Sequence, residues 1–205
     1  MRLAVLTAVL LCACGLASAA PGIVDVRFRN YSTGDGLSQA TAMAMAQDGA
    51  GFLWVGTQDG LNRFDGYGFK VYKHVRSQPG TLSDNAITAL AADKDGSLWI
   101  GTQAGGLDHY YPVLDRFEHY ASDPMRSDSI ASENITALML DGRDWLWIAG
   151  NGGRLQWLDR VTNHFLDAPL GDQSMLANVR VLRQARDGSV LIGSRDGLWQ
   201  CDLNA

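Results

Sequence analysis

The phrase Gly51-Phe52-Leu53-Trp54-Val55-Gly56-Thr57 returns three more times along this chain. Its copies are Ser97-Leu98-Trp99-Ile100-Gly101-Thr102, Trp145-Leu146-Trp147-Ile148-Ala149-Gly150 and Ser189-Val190-Leu191-Ile192-Gly193-Ser194. The anchors Trp54, Trp99, Trp147 and Leu191 stand 45, 48 and 44 residues apart. A repeat of this length is one supersecondary unit stacked on its neighbours. The period therefore limits the fold before any single residue is weighed.

Within a repeat the pattern is all β. Ile87-Thr88-Ala89-Leu90-Ala91 predicts a short first strand, and Asp93-Lys94-Asp95-Gly96 a turn. Leu98 to Thr102 is a second strand, Leu107 to Tyr111 a third and Arg116 to Tyr120 a fourth. Four short strands joined by Gly/Asp turns make an antiparallel meander. Such a sheet buries both apolar faces by packing between two others around an axis, which is a β-propeller. Columns agree across repeats: Gly56, Gly101, Ala149 and Gly193 follow the anchors, and Leu61, Leu107, Leu155 and Leu198 open the third strands. The segments alternate, which excludes a helical repeat, and the long period excludes a leucine-rich solenoid. The fold class is thus all-β, with propeller blades over 38–74, 84–121 and 132–168 and a partial blade over 177–203. Val26 to Tyr31 repeats the Phe-x-x-Tyr spacing of the outer strands, so an outer strand is expected over 24–32. With it the strands suffice for four whole sheets, and a four-bladed ring is arithmetically open. An incomplete propeller forming an open arc is the expectation, and its bare edges favour self-association.

Residues 1–19 read as a signal peptide: Arg2, an apolar run too short to span a bilayer, and Ala17-Ser18-Ala19 as cleavage motif. Leu11-Cys12-Ala13-Cys14 loosely matches a lipoprotein box, the alternative reading. The remaining thiol, Cys201, reads as a small buried hydrophobe. The formal charge is −5 and no basic run occurs, which argues against nucleic acid as a partner.

Several stretches resemble a known family. Asp35-Gly36-Leu37-Ser38-Gln39, Gln47-Asp48 and the run from Gly51 through Gln58-Asp59-Gly60-Leu61-Asn62-Arg63-Phe64-Asp65-Gly66 are similar to the first blade of the two-component regulator propeller. The resemblance covers roughly residues 26–202. It implies a periplasmic sensor region of a bacterial signalling protein, whose output domain is a histidine kinase or a diguanylate cyclase. It also implies longer chains with more blades and a membrane helix. Against that pattern this chain reads as the front part of such a sensor, a truncated frame or a stand-alone remnant.

No catalytic constellation stands out. His74, His109, His119 and His164 lack metal-ligand spacing, and His109 and His119 read as surface residues of one outer hairpin. Asp93-Lys94-Asp95-Gly96 offers too few carboxylates for calcium and reads as a hairpin turn. Trp54, Trp99 and Trp147 read as blade-to-blade packing rather than sugar platforms, with Tyr67, Tyr111 and Trp199 more exposed. No cofactor, metal site or catalytic residue is expected.

The loops remain. Propeller ligands commonly sit on the face built by the loops leading into first strands and by the turns between second and third strands. Here those turns carry Gln58, Asp59, Gln103, Asn151, Arg195 and Asp196, the candidate binding residues. A small polar or glycan-derived ligand is the expected partner. A propeller-type polysaccharide lyase or glycosidase is the alternative, and a protein-binding adaptor a third.

Overall fold

The computed structural model describes residues 27–170, 176 and 178–203, so the expected signal peptide and its cleavage site lie outside the described residues. The chain forms two units, 1–30 and 31–205. Of the first, residues 27–30 are described and are not strand.

The second unit carries fifteen strands among its described residues. Blade 1 holds β1 (Ala44–Gln47), β2 (Leu53–Thr57), β3 (Gly60–Phe64) and β4 (Phe69–Tyr72). Blade 2 holds β5 (Ile87–Ala92), β6 (Leu98–Thr102), β7 (Leu107–Tyr111) and β8 (Arg116–Tyr120). In blade 3 come β9 (Ile135–Leu140), β10 (Leu146–Gly150), β11 (Leu155–Asp159) and β12 (His164–Asp167). Blade 4 has three strands: β13 (Val181–Gln184), β14 (Val190–Ser194) and β15 (Gly197–Cys201). Each sheet is an antiparallel meander in chain order. The first strands neighbour one another in sequence, β1 by β5, β5 by β9 and β9 by β13. Among the described residues no comparable approach joins β13 back to β1, so the blades form an open arc.

Three cores lie between successive blades rather than inside one. Trp54, Leu61 and Tyr72 pack with Leu82, Ile87, Leu98 and Tyr110. Ala89, Trp99 and Leu107 pack with Ile130, Ile135, Leu146 and Phe165. Trp147, Ala149 and Leu155 pack with Leu176, Val179, Val190 and Ile192. The anchors are buried as the repeat implied, at 1% exposure for Trp54, 2% for Trp99 and 0% for Trp147.

One contact sets how closely blades approach. A Cβ added to Gly56 would lie 2.5 Å from Ile87 Cγ2, and one added to Gly101 would lie 2.6 Å from Ile135 Cγ2. Each glycine is a hole for the isoleucine of the next blade. Where blade 3 has Ala149 instead, the next blade offers Val179, one carbon smaller, and both are buried in the same core. The sum of the two volumes is held constant. Gly193, the corresponding hole of blade 4, meets nothing closer than Val181 of its own blade at 3.4 Å.

A β-bulge makes this contact compatible with the rest of the first strand. Pairing of β5 with β6 shifts between Ile87 and Ala89, and that of β9 with β10 shifts between Ala149 and Gly150. The extra residue turns Ile87 toward blade 1 while Ala89 and Ala91 face blade 3. Strict alternation along the strand would put Ile87, Ala89 and Ala91 on one face; the bulge divides them between two cores.

The expected outer strand over 24–32 is not formed in its described part, residues 27–32. A capping box directs the chain elsewhere: Gly34 N donates to Ser32 Oγ, and Ser32 N donates to Asp35 Oδ2 at 2.8 Å. Tyr31, just before it, packs on Phe64 at 4.8 Å and Phe69 at 5.9 Å in blade 1, rather than completing blade 4. Blade 4 therefore keeps β15, paired with β14 on one side, as an edge strand among the described residues, and its Leu198 is 73% exposed. For the same reason Cys201 is half-buried and not a core residue.

The paired volumes give a direct test. Gly101→Ala should destabilise the second unit by about 1–3 kcal/mol through overpacking against Ile135. Adding Ile135→Val copies the Ala149 and Val179 arrangement and should recover most of that loss. Chemical denaturation of the two single variants and the double variant measures the coupling. Strict additivity would mean the two side chains do not share one space.

Candidate functional site

The loop face is held by a repeated latch. One residue after the leading leucine of each third strand, a buried polar side chain accepts a backbone N–H from the loop that leads into the blade. Ser38 N donates to Asn62 Oδ1 at 2.8 Å, Ser83 N to Asp108 Oδ2 at 2.9 Å and Ala131 N to Gln156 Oε1 at 2.6 Å. The three acceptors are 0%, 0% and 3% exposed. Burial without solvent makes each bond costly to break. Blade 4 has Trp199 in this column. The sequence shows the signal as a polar residue inside an apolar strand, but nothing there says what it holds.

The turns between second and third strands are closed by hydroxyls. Thr57 Oγ1 donates to Gly60 O at 3.0 Å, Thr102 Oγ1 to Gly106 O at 2.9 Å and Ser194 Oγ to Gly197 O at 3.3 Å. They bond in turn to the leading loops: Gln103 N to Ala86 O at 2.9 Å, Asn151 N to Asn134 O at 2.8 Å, and Gly60 N to Asn85 O of the next blade at 2.8 Å. Gln58, Asp59, Gln103, Asn151, Arg195 and Asp196 all occupy these turns, on one face. All but half-buried Asp59 are exposed. Asp59 pairs with Lys73 at 2.7 Å. No hydrogen bond or ion pair links any two of the six among the described residues.

Blade 3 differs. Gly150 stands where the other blades have Thr or Ser, and no hydroxyl closes its turn. A cavity of about 180 Å³ opens there, lined by Ser132, Gly150, Asn151, Gly152, Arg154 and Gln156. Arg154 Nη2 is held by Asp167 at 2.6 Å. Asn151 is thus the one of the six that lines this cavity.

On the far side, the Asp turn carries a lock on the anchor. Asp48 Oδ1 accepts Ala50 N and Phe52 N at 3.0 Å, and its Oδ2 accepts Trp54 Nε1 at 2.7 Å. Asp141 Oδ1 accepts Arg143 N at 2.8 Å and Trp145 N at 3.0 Å, and its Oδ2 accepts Trp147 Nε1 at 3.0 Å. One carboxylate so shapes the turn and fixes the indole six residues on. In repeat four both partners vanish together, as Ala185 and Leu191.

The residue paired across the strands from each anchor covers it. Arg63 is opposite Trp54, His109 opposite Trp99 and Trp157 opposite Trp147. His109 stacks flat on Trp99, with ring centres 3.7 Å apart and planes at 3°. Its Nε2 lies 2.8 Å from Ser97 Oγ. It is 7% exposed, which corrects the surface assignment: the strand pleat turns it onto the anchor. Burial pulls its pKa down to about 4 despite the Asp95 and Asp93 carboxylates nearby. His119 is the more exposed of the two, and its bond to the Asp108 carboxylate at 2.7 Å raises its pKa against partial burial.

At the seam of blades 1 and 2, Tyr72 and Tyr110 both donate to Asp115 Oδ1, at 3.0 and 2.8 Å. Lys70 reaches Asp115 Oδ2 at 2.6 Å, and this bond does most to hold that carboxyl below its ordinary range. Burial drives both phenols upward, the direction opposite to that of a tyrosine base.

Comparison with known proteins agrees with this architecture. Residues 36–59 and 81–104 match the family model of the two component regulator propeller. Each matched segment is similar to one repeat of that family. They contain the Asp, Trp and Gly of blade 1 and the lead-in loop, first strand and second strand of blade 2. Over 56 residues, 27% of this chain, the sequence is 45% identical to Histidine kinase P4 of Formosa agariphila, and it spans 4% of that protein. The extracellular domain named as that of a hybrid two component system from B. thetaiotaomicron superposes with a TM-score of 0.75 at 26% identity. That match covers 86% of this chain and 25% of the other. A second such extracellular domain from the same organism gives 0.63 at 23% identity over 81% of this chain and 21% of its own, a likeness of fold. The propeller repeats described here thus span a quarter or less of these relatives.

His109 supplies a pH test. Its pKa in the folded chain, about 4, lies below the ordinary 6.5, so between those values the unfolded chain binds the extra proton. The stabilisation is whole above about pH 6.5 and is lost as pH falls toward 4, by up to about 3 kcal/mol. His119, with its pKa raised, acts in the opposite sense: its contribution is present below its unfolded pKa and lost as pH rises through the folded one. Denaturation curves stepped through this window should flatten in His109→Gln. An unchanged slope in that variant would mean that the ring is solvated.

Proposed function

We propose that this chain is part of the periplasmic ligand-sensing region of a bacterial two-component signalling protein, and that its ligand binds on the loop face at blade 3. The observation that carries the reading is the cavity at Gly150. There the hydroxyl that closes the same turn in the other blades is absent, Ser132 stands 2.6 Å from where a Cβ on Gly150 would lie, and amide, guanidinium and hydroxyl groups line the opening beside it. A site of this kind suits a small polar or glycan-derived ligand whose hydroxyls exchange hydrogen bonds with Asn151 and Ser132. Gln58, Asp59, Gln103, Arg195 and Asp196 form the polar rim of the neighbouring blades. The buried latches support the reading, since they hold the lead-in loops rigid and lower the entropy lost on binding. Similarity to an extracellular domain named for a hybrid two component system supports the signalling context and export. A histidine kinase or diguanylate cyclase would then report the bound state as a shift between conformations.

The test is binding, by thermal shift and calorimetry, against a panel of neutral and acidic oligosaccharides and amino sugars. At least one is expected to raise Tm, with affinity lowered about tenfold or more in Asn151→Ala, as befits loss of a hydrogen bond in an enclosed site. Binding that is indifferent to Asn151→Ala would remove the site from blade 3. Turnover of any panel member would favour the enzyme reading instead. Secretion with an intact leader, followed by intact-mass measurement, should give a mature chain beginning at residue 20.

A further inference from the structure

Blades 1, 2 and 3 build the same Asp turn. Asp48 N bonds Phe52 O at 3.1 Å, Asp93 N bonds Ser97 O at 2.9 Å and Asp141 N bonds Trp145 O at 3.1 Å. The anchors are also in one register, since Ala46 pairs with Trp54, Ala91 with Trp99 and Met139 with Trp147. The backbone therefore offers blade 2 the same Asp–Trp lock as its neighbours. Blade 2 has both residues, yet the lock is open.

Two buried atoms record this. Trp99 Nε1 and Asp93 Oδ2 have no hydrogen-bond partner, although Trp99 is 2% and Asp93 6% exposed. The carboxylate has turned away. Asp93 Oδ1 takes Lys94 N at 2.7 Å, and Asp95 Oδ1 takes over the bond to Ser97 N at 2.9 Å. Asp93 Oδ2 instead meets Arg160 Nη2 as an ion pair across the seam. Arg160 follows β11 of blade 3. The corresponding positions at the other two seams are Pro112 of blade 2 and Leu203 of blade 4, so among the described residues this seam alone has a cation there.

We propose that Asp93 is a two-position latch between blades 2 and 3. In the position seen here it ties the blades together through Arg160 and leaves the Trp99 indole unpaired. In the other it closes on Trp99 Nε1, as Asp48 and Asp141 do on their anchors, and the seam loses its buried ion pair. Asp48 and Asp141 are buried at 8% and 4% exposure with no cation on the carboxylate, so this second position is sustainable. Arg160 also has somewhere to go. It lines a cleft of about 270 Å³ with Tyr111, Glu118, Tyr120 and Asn163, and its side chain is 28% exposed. Glu118 offers the released guanidinium a carboxylate nearer solvent. Asp93 Oδ2 has a partner in both positions, the Arg160 cation in one and the indole N–H in the other, and only one joins the blades, which makes the seam a two-state element. The inference is independent of where a ligand binds.

Nitrogen-15 spectra of the indole groups read the two positions directly. In the wild-type chain the Trp99 Nε1–H signal should lie upfield of those of Trp54 and Trp147. In Arg160→Met it should move downfield to join them, with solvent exchange slowed by roughly tenfold, the equivalent of one hydrogen bond. Adding Asp93→Ala should return the signal to its wild-type position. Arg160→Lys gives the same reading, in smaller degree, should the Met variant fail to fold. A Trp99 signal that does not move when Arg160 is changed overturns the proposal, as does a movement that survives removal of Asp93.

Discussion

The close approach of a β-branched side chain to a glycine on the next blade governs this molecule. Ile87 against Gly56 and Ile135 against Gly101 leave no room for one more carbon. Interiors packed at this density transmit a change of one methylene to the backbone. The substitution of Ala149 and Val179 for that pair keeps the volume and so keeps the blade spacing. The bulge in β5 and in β9 is needed for the same reason, because without it the isoleucine and the small residues of one strand would face one side. Everything placed on the arc, including the loop face, inherits its spacing from this contact.

Polar groups then decide what remains rigid and what can move. Buried Asn62, Asp108 and Gln156 each accept a backbone N–H from a lead-in loop, so the face is built from fixed turns. The Asp turns of blades 1 and 3 fix the far end of their sheets by clamping an indole. Where a repeat departs from these rules, a cavity or a seam appears. The blade 3 cavity lies beside Gly150, whose turn no hydroxyl closes, and Arg160 drawing Asp93 opens the blade 2 lock. Departures from an otherwise consistent pattern are where function is expected to lie.

Both end surfaces of the arc carry the same chemistry as the internal seams. Blade 4 presents the Gly193 hole with exposed Leu198 and Val181, and blade 1 presents Met43, just before β1, and Met45 within it at 49% and 66% exposure. Unpaired sheet edges beside such residues favour association with further β-structure. The propeller repeats thus form a set of stacking units, and they span a small share of the relatives they match.

The sequence alone determined the unit and its order. The period, the anchor tryptophans and the alternating segments specify four-stranded meanders packed face to face, because no other arrangement buries both faces of so short a sheet. It also placed Gln58, Asp59, Gln103, Asn151, Arg195 and Asp196 on one face, since strand order fixes which turns share an end. Tertiary structure alone decided the rest. That Tyr31 folds onto Phe64 and leaves β15 an edge strand among the described residues depends on a capping box competing with a distant sheet edge. His109 is buried because the pleat aims it at Trp99, and composition cannot reveal that aim. Asp93 and Trp99 match the spacing of their counterparts in blades 1 and 3, yet only the position of Arg160, sixty-seven residues away in sequence, separates them. A repeat motif encodes the contacts within its own length; partners drawn from the next blade are set by how the blades meet.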